Sequence, residues 1–328
     1  MSEERKQWIP AADSSVELLS SYGDVESWDV DIADAGVRLD AYLADYYDQY
    51  SRSFLQKLVK DGKVLVDNRP VKNNYRLTGG EVLCVQIPQP EQLDVSPEPI
   101  PLEILYEDED LIFVNKPKGM VVHPAPGHSG GTLVNGLLYH CGSSLSGING
   151  VLRPGIVHRI DMDTTGVLVV CKNDLAHNHV ARQLADHSIT RKYYAIVHGV
   201  ITEDSGTINQ PIGRSRTNRM KMAIDIMNGK RAVTHYRVLE RYKDYTYVEC
   251  QLETGRTHQI RVHMTSINHP LLGDEVYGSR KTPFHLQGQT LHAGVLGLIH
   301  PRTGEYLEVC AELPEYFLRL QNSLRNQK

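Results

Sequence analysis

No stretch of this sequence approaches the ~20 consecutive apolar residues needed to cross a bilayer. The first residues, MSEERKQWIPAADSS, carry acids where a secretory leader would have an apolar core. A soluble, cytoplasmic protein with no membrane partner is therefore expected. Cysteine is sparse: Cys84, Cys141, Cys171, Cys250 and Cys310 are five in number, widely spaced and without a C-x-x-C pair. Such a set excludes a disulfide framework and argues against a zinc-thiolate site. Also missing are a Gly-rich phosphate loop, a V-A-I-K lysine and a D-F-G triplet. The H-R-I-D that begins at His158 is thus no kinase catalytic loop, in which Asp follows Arg directly.

An excess of positive charge is missing as well, since the formal net charge is -5. That would speak against a nucleic-acid partner if charge were spread evenly. It is not: the first 36 residues hold nine acids against Arg5 and Lys6, whereas residues 189–263 hold thirteen Lys or Arg against seven acids. Positive charge is concentrated where a phosphate backbone could be gripped. At 328 residues, 41% of them hydrophobic, the chain has material for about two domains.

Residues 1–35 show no sustained helix or strand period and read as an acidic, disordered tail. The next segment, 36–88, is patterned throughout. Leu39, Tyr42, Leu43 and Tyr46 mark one helix face; Ser51 is a helix N-cap candidate ahead of Phe54, Leu55, Leu58 and Val59. Gly62 stops that helix, a short strand to Val66 follows, Asp67 and Asn68 make a turn, and a strand from Glu81 closes the unit. This segment resembles the α-L RNA-binding module, and the likeness implies phosphate contacts from Arg38, Arg52, Lys57, Lys60, Lys63, Arg69, Lys72 and Arg76. On spacing alone, a solvated helical hairpin fits the same residues. Residues 89–101, QPEQLDVSPEPIP, read as a stiff linker.

The remainder, 102–328, centres on VHRIDMDTTGVLV, residues 157–169. Asp161 stands beside Arg159 just ahead of a Thr164-Thr165-Gly166 turn, and the apolar run after the turn reads as a buried strand. A buried carboxylate without a partner takes up a proton, so Arg159 and a second Arg from elsewhere would be needed to hold Asp161 ionised. As an isolated tetrapeptide HRID also fits a surface ion pair.

HRIDMDTTG closely resembles the HRLD-x-x-TSG signature of the RluA-type pseudouridine synthases, with Ile160 and Thr165 as conservative departures. The likeness covers nearly the whole chain from about Gly36. It implies an α+β fold, a mixed and mainly antiparallel sheet preceded by the α-L module, and it carries the catalytic role to Asp161. Two further blocks carry the resemblance. ITRKYYAIVHG is similar to the family's R-x-Y-x-A pattern and makes Tyr193 the active-site tyrosine, with Arg191 and Lys192 beside phosphate. GRTHQIRVH is similar to the third motif and makes Arg261 the partner of Asp161, with Ile260 against the base and Arg256 and His258 presented nearby. NKPKGMVVHP is a fourth similar block, from which Lys116 and His123 are expected to line the RNA cleft. GDEVYG together with AVTHYRVLERY looks nearest the D subtype, which acts on large-subunit ribosomal RNA.

The implied reaction converts uridine to pseudouridine with no redox change, so neither cofactor nor metal is expected. Whether Asp161 attacks as a nucleophile or removes a sugar proton stays open. The implied partner is structured RNA, ribosomal RNA or a ribosomal precursor particle, bound by a monomer. Two other readings have sequence support. A non-catalytic RNA-binding or assembly factor could retain the fold. Gly127 to Gly131 satisfies G-x-S-x-G, a hydrolase elbow with Ser129 as nucleophile, although Pro124 and Pro126 disrupt the strand such an elbow needs. His177 and His179 diverge on the helix expected over 174–187 and read as surface residues. The basic segment 214–231 reads as a loop closing over nucleic acid.

Overall fold

The computed structural model describes residues 23–47, 52–88, 95–124, 130–142, 144–147, 154–215, 217–218, 221–278 and 283–327. It divides into two compact units, Met1–Glu91 and Gln92–Lys328.

The first unit contains strand β1 (Gly23–Asp29), helices α1 (Leu39–Tyr46) and α2 (Arg52–Lys60), and strands β2 (Val64–Val66), β3 (Arg69–Pro70) and β4 (Val82–Pro88). The strands form one antiparallel sheet in the order β1-β4-β2-β3. Asp67 and Asn68 join β2 to β3 with φ of 48° and 60°, the left-handed pair that short polar side chains tolerate in a two-residue hairpin. Leu39, Leu43, Leu55, Leu58, Val64 and Val85 form the core. β1 corrects the expected extent of the acidic tail: residues 23–29 are a strand paired with β4 along its length. The reason is Trp28, which stacks on Tyr46 at 4.4 Å and donates to the Tyr42 hydroxyl at 3.0 Å, covering a helix face that would otherwise be wet. Residues 1–22, the Ser51 cap and the Arg52 side chain lie outside the described residues.

In the second unit, β5 (Glu103–Glu107) and β6 (Leu111–Lys116) form a hairpin, followed by α3 (Leu133–Cys141), β7 (Thr165–Cys171), α4 (Asp174–Ala185) and β8 (Thr190–His198). Then come β9 (Ser205–Asn209), the ribbon β10 (Ile212–Arg214) and β11 (Met222–Ile224), the hairpin β12 (Val233–Arg241) and β13 (Tyr245–Leu252), and α5 (Gln259–Ser266). β14 (Leu291–Ile299), β15 (Tyr306–Cys310) and α6 (Glu315–Arg325) close the chain. Nine strands make one sheet, ordered β5-β6-β7-β14-β8-β13-β12-β9 with β15 on β14. All described pairings in it are antiparallel except β14 with β7, so the sheet is mixed and mainly antiparallel. Every residue of β7 is buried, which is why it reads as an unbroken apolar run.

Three local expectations change. Residues 95–101 are no free linker: Val95 is buried, the Glu98 amide donates to the Asn135 carbonyl, and the Glu98 carboxylate accepts from Gly131. Extended proline-rich backbone lays this strap on α3, while residues 89–94 lie outside the description. α4 turns Ala176, His177, Val180 and Gln183 inward, so His177 is buried and Leu175 is exposed. Part of the 214–231 segment is ordered as β11 pairing with β10. Gly127, His128 and Ser129 lie outside the described residues.

The single parallel pairing depends on one glycine. Gly166 has φ +110°, and a Cβ there would fall 2.1 Å from the Ala293 carbonyl oxygen of β14. Gly166→Ala is expected to cost roughly 3 kcal/mol or more through backbone strain plus overpacking. A chemical denaturation midpoint unchanged from wild type would refute this.

Candidate active site

Asp161 sits on the turn that feeds β7. The Thr164 amide donates to the Asp161 carbonyl, and Gly166 brings the strand against β14. His158 braces the approach, its Nε2 accepting from the Val169 amide at 3.1 Å. Beneath the turn lies Lys116, fully buried, whose Nζ donates to the carbonyls of Pro117, Met120 and Met162 at 2.8–2.9 Å. Burial pushes its pKa down to about 7, against the charges of Asp163 and Asp161. Three carbonyl acceptors match the three protons of an ammonium, so the geometry is that of the charged form.

Arg261 comes from α5, one hundred residues further along the chain. Its Nη1 donates to Asp161 Oδ2 at 3.0 Å, and its Nε and Nη2 grip Asp274 at 2.7 and 3.0 Å. Asp274 is completely buried and also accepts from the amides of Val276 and Tyr277. Burial alone would lower the Arg261 pKa; hydrogen bonding and charge from Asp274, with the charge of Asp161, outweigh it and raise the net value. The guanidinium is therefore a fixed cation shared between two carboxylates.

A second chain of contacts reaches Asp161 through His258, which caps α5 in the left-handed conformation at φ 55°. Its Nδ1 lies 2.8 Å from the Tyr277 hydroxyl, which itself accepts from the Met222 amide. Burial raises the Tyr277 pKa and keeps its phenol protonated, and His258 Nε2 lies 3.8 Å from Asp161 Oδ1. The His258 pKa is lowered, burial being the largest cause, so this approach is that of a neutral ring.

Asp161, Arg261, His258 and His158 line a cavity of about 510 Å³ together with Arg159, Ile160, Arg191, Tyr193, Arg256 and Ile260. Tyr193 is 8% exposed; burial raises its pKa, so its phenol stays protonated. Alternation along β8 puts Arg191 and Tyr193 on the cavity face.

The structure thus brings Asp161, Tyr193, Arg261, Arg159, Arg191, Arg256, His258 and Ile260 into one cavity. It does not bring Lys192, Lys116 or His123. Lys192 alternates to the other face of β8, and Lys116 and His123 are buried off the cavity wall, Lys116 holding the turn from behind. Asp274 and Tyr277 were missed as site residues. They belong to the GDEVYG block, where a buried Asp two residues ahead of a Val in a tight turn carried no local sign of its distant Arg. His263, on the same helix as Arg261, is engaged by Thr234 and the Gln210 carbonyl.

Among the described residues, two groups have metal-like spacing, Glu107 with His140 and Cys141, and Asp108 with Asp110 and His300. Neither lines the cavity, and Lys172 and Arg302 already pair with Glu107 and Asp110.

Four wholly or partly buried histidines give the fold a pH dependence. Desolvation, helped by the charge of Arg191, pushes His158 down to about 3, and burial lowers His258, His263 and His292 too. Below the unfolded value of about 6.5 the unfolded chain binds protons that the native state refuses. Stability is therefore full above that pH and falls as pH drops toward the folded values. His158 alone contributes up to about 1.4 kcal/mol per pH unit. Melting temperatures measured from pH 7 to pH 5 should fall, and less steeply for His158→Gln; equal slopes would contradict the assignment.

Comparison with known proteins identifies the family. The RNA pseudouridylate synthase family pattern matches residues 110–266, and the S4 domain pattern matches residues 37–83. The uncharacterised RNA pseudouridine synthase YlyB of Bacillus subtilis is 58% identical over 288 residues, 88% of this chain and 94% of that protein. The ribosomal large subunit pseudouridine synthase D of Zymomonas mobilis is 50% identical over 290 residues, 85% of this chain and 91% of that one. The solved structure of human RNA pseudouridylate synthase domain containing 1 superposes with a TM-score of 0.55 at 27% identity, covering 69% of this chain and 95% of that one. With its paired Asp161 and Arg261 in a basic cavity and relatives aligned over most of their length, the chain belongs to the RNA pseudouridylate synthase family and carries an S4 domain ahead of the catalytic unit.

Proposed function

We propose that this protein converts specific uridines to pseudouridine in large-subunit ribosomal RNA, with Asp161 as the catalytic carboxylate. The observation that carries the reading is the 3.0 Å contact between Asp161 and a guanidinium that Asp274 locks from behind, at the wall of a cavity lined by arginines. The target base leaves its stack at a cost of a few kcal/mol, and contact with Tyr193 and Ile260 plus phosphate contacts offset it. Asp161, one-fifth exposed, then meets the ribose or the base edge, either as nucleophile or as the base that removes a sugar proton. Tyr193, protonated, can pass a proton to or from the base. Arg159 and Arg256 supply positive charge to the RNA backbone.

The S4 domain contributes affinity and site choice. Lys57, Lys60, Arg69, Lys72 and Arg76 are exposed on it, and Arg38 is half-exposed while holding Asp40. The large-subunit substrate is supported by relatives named ribosomal large subunit pseudouridine synthase D at 44–50% identity. The protein works as a cytoplasmic monomer in this reading; no described helix is long and apolar enough to cross a membrane.

The test is to map pseudouridines in ribosomal RNA from a strain lacking the gene and to restore them with purified protein. Missing large-subunit sites that the wild type refills are expected; an unchanged map overturns the reading. Deleting residues 37–88 should raise KM or scatter the modified sites while a short RNA is still converted. Full selectivity after that deletion would remove the role given to the S4 domain.

A further inference from the structure

His187 lines the catalytic cavity without taking part in the network around Asp161. It stands just beyond α4, whose last residues Leu184 and Ala185 belong to the same wall. The residue is exposed, and among the described residues neither ring nitrogen has a hydrogen-bond partner. The other histidines of the wall are engaged: His158 accepts from the Val169 amide, and His258 meets the Tyr277 hydroxyl.

The backbone at this position suits another residue better. α4 ends with the Ser188 amide donating to the Gln183 carbonyl at 3.0 Å, and His187 between them is in the left-handed region at φ 59°. Glycine is the usual residue at such a helix end and asparagine the next, because a larger side chain crowds the backbone there. A histidine held in that conformation on the wall of a binding cavity points to a use for its ring. Its place narrows the use. β8 advances about 10 Å from Thr190 to Tyr193, and His187 precedes the strand altogether. The turn from α4 into β8 thus sets His187 apart from the place of the target base at Tyr193 and Asp161.

We propose that His187 is a specificity-determining residue whose imidazole ring stacks on the base next to the target uridine. This deepens the reading of the cavity as a uridine site and rests on it. Unpaired RNA bases are read by stacking on flat side chains, histidine among them, and enzymes that extrude a base choose their site partly through its neighbours. Charge is not what the wall lacks, since Arg159, Arg191, Arg256 and Arg261 already line it. An exposed flat surface is scarcer: Tyr193, His158 and His258 are buried or half-buried, and His187 is the exposed ring of the described wall.

The test uses the full-length protein and a five-nucleotide single-stranded RNA with one central uridine between purines. Two further copies lack the base on the 5′ or the 3′ side of that uridine. Fluorescence anisotropy measures binding, in an Asp161→Asn parent so that no turnover intervenes. Removing one of the two neighbouring bases should weaken binding to the parent about ten-fold, within the range for one stacked base. His187→Gly should bind the intact RNA about ten-fold more weakly than the parent and lose no more than about two-fold further when that base is removed. Its melting temperature should stay close to the parent's, because glycine adopts this backbone conformation readily. A folded His187→Phe, which keeps a flat ring without nitrogens, should bind within about three-fold of the parent. On ribosomal RNA, His187→Gly with Asp161 intact should raise KM about ten-fold and change kcat far less.

The proposal falls if His187→Gly binds the intact RNA as its parent does. It falls if removing either neighbouring base costs the glycine variant as much as it costs the parent, which would place the ring elsewhere. A folded His187→Phe as weak as His187→Gly overturns it, because the nitrogens and not the flat ring would then matter. So does a fall in kcat with KM unchanged, which would put His187 among the reacting groups. A wild type that converts no ribosomal RNA would fail the proposed function and leave the five-nucleotide RNA to decide on His187; an active, Asp161-dependent enzyme without the coupling would mean the reverse.

Discussion

Asp161→Asn should lose at least about 10³-fold in the rate of pseudouridine formation while still binding RNA. The substitution keeps the side chain's size and removes only its charge. The main-chain bond from Thr164 to the Asp161 carbonyl is untouched, so the turn should survive. Arg261 would keep its two bonds to Asp274 and lose only the charge facing the cavity. The folded protein should therefore melt near the wild-type temperature and still retain RNA on a filter, with turnover gone. Single-turnover conversion of ribosomal RNA from a deletion strain is the direct measurement. A normal rate would end the case for a carboxylate mechanism at this position.

Asp274 is expected to be nearly as important without touching substrate. It holds Arg261 through two bonds, and the pair is almost wholly dry, 7% and 0% exposed. Removing one partner of a buried ion pair typically costs about 3–5 kcal/mol, because the remaining charge is stranded. Asp274→Ala should therefore lower stability by about that amount. Asp274→Asn, which preserves shape and most of the acceptors for the Val276 and Tyr277 amides, should lose less. Both should reduce turnover by about 10²-fold, the order expected when a catalytic group is misplaced by an ångström. A stability assay beside kcat separates the two effects: Asn should spare much of the fold and still lose the rate. If Asp274→Asn retained full kcat, the guanidinium would be held well enough by Asp161 alone, and the clamp would be incidental.

Much of this was legible along the chain. The helix faces of Leu39 and Leu43, the turn at Asp67 and Asn68 and the buried run after Gly166 follow from local period and turn chemistry. Where local rules misread, a distant partner was responsible. The acidic stretch before Gly36 becomes a strand because Trp28 meets Tyr46 and Tyr42. His177 is buried because α4 lays its small Ala176 face on the sheet. Lys116 is held off the cavity wall because its ammonium ties the Pro117 and Met120 carbonyls of its own loop to the Met162 carbonyl of the catalytic turn.

The sequence by itself determined the elements, the motif that presents a carboxylate on a turn and the residue types able to hold it charged. Those depend on neighbours within a few positions, where side-chain alternation and backbone preference act. Only the tertiary structure decided that β14 would slot between β7 and β8 and that Asp274 would clamp Arg261 onto Asp161. Contacts across 100 residues of chain form when the sheet closes, and the enclosed arrangement, where water no longer screens charge, fixes which cation meets which carboxylate.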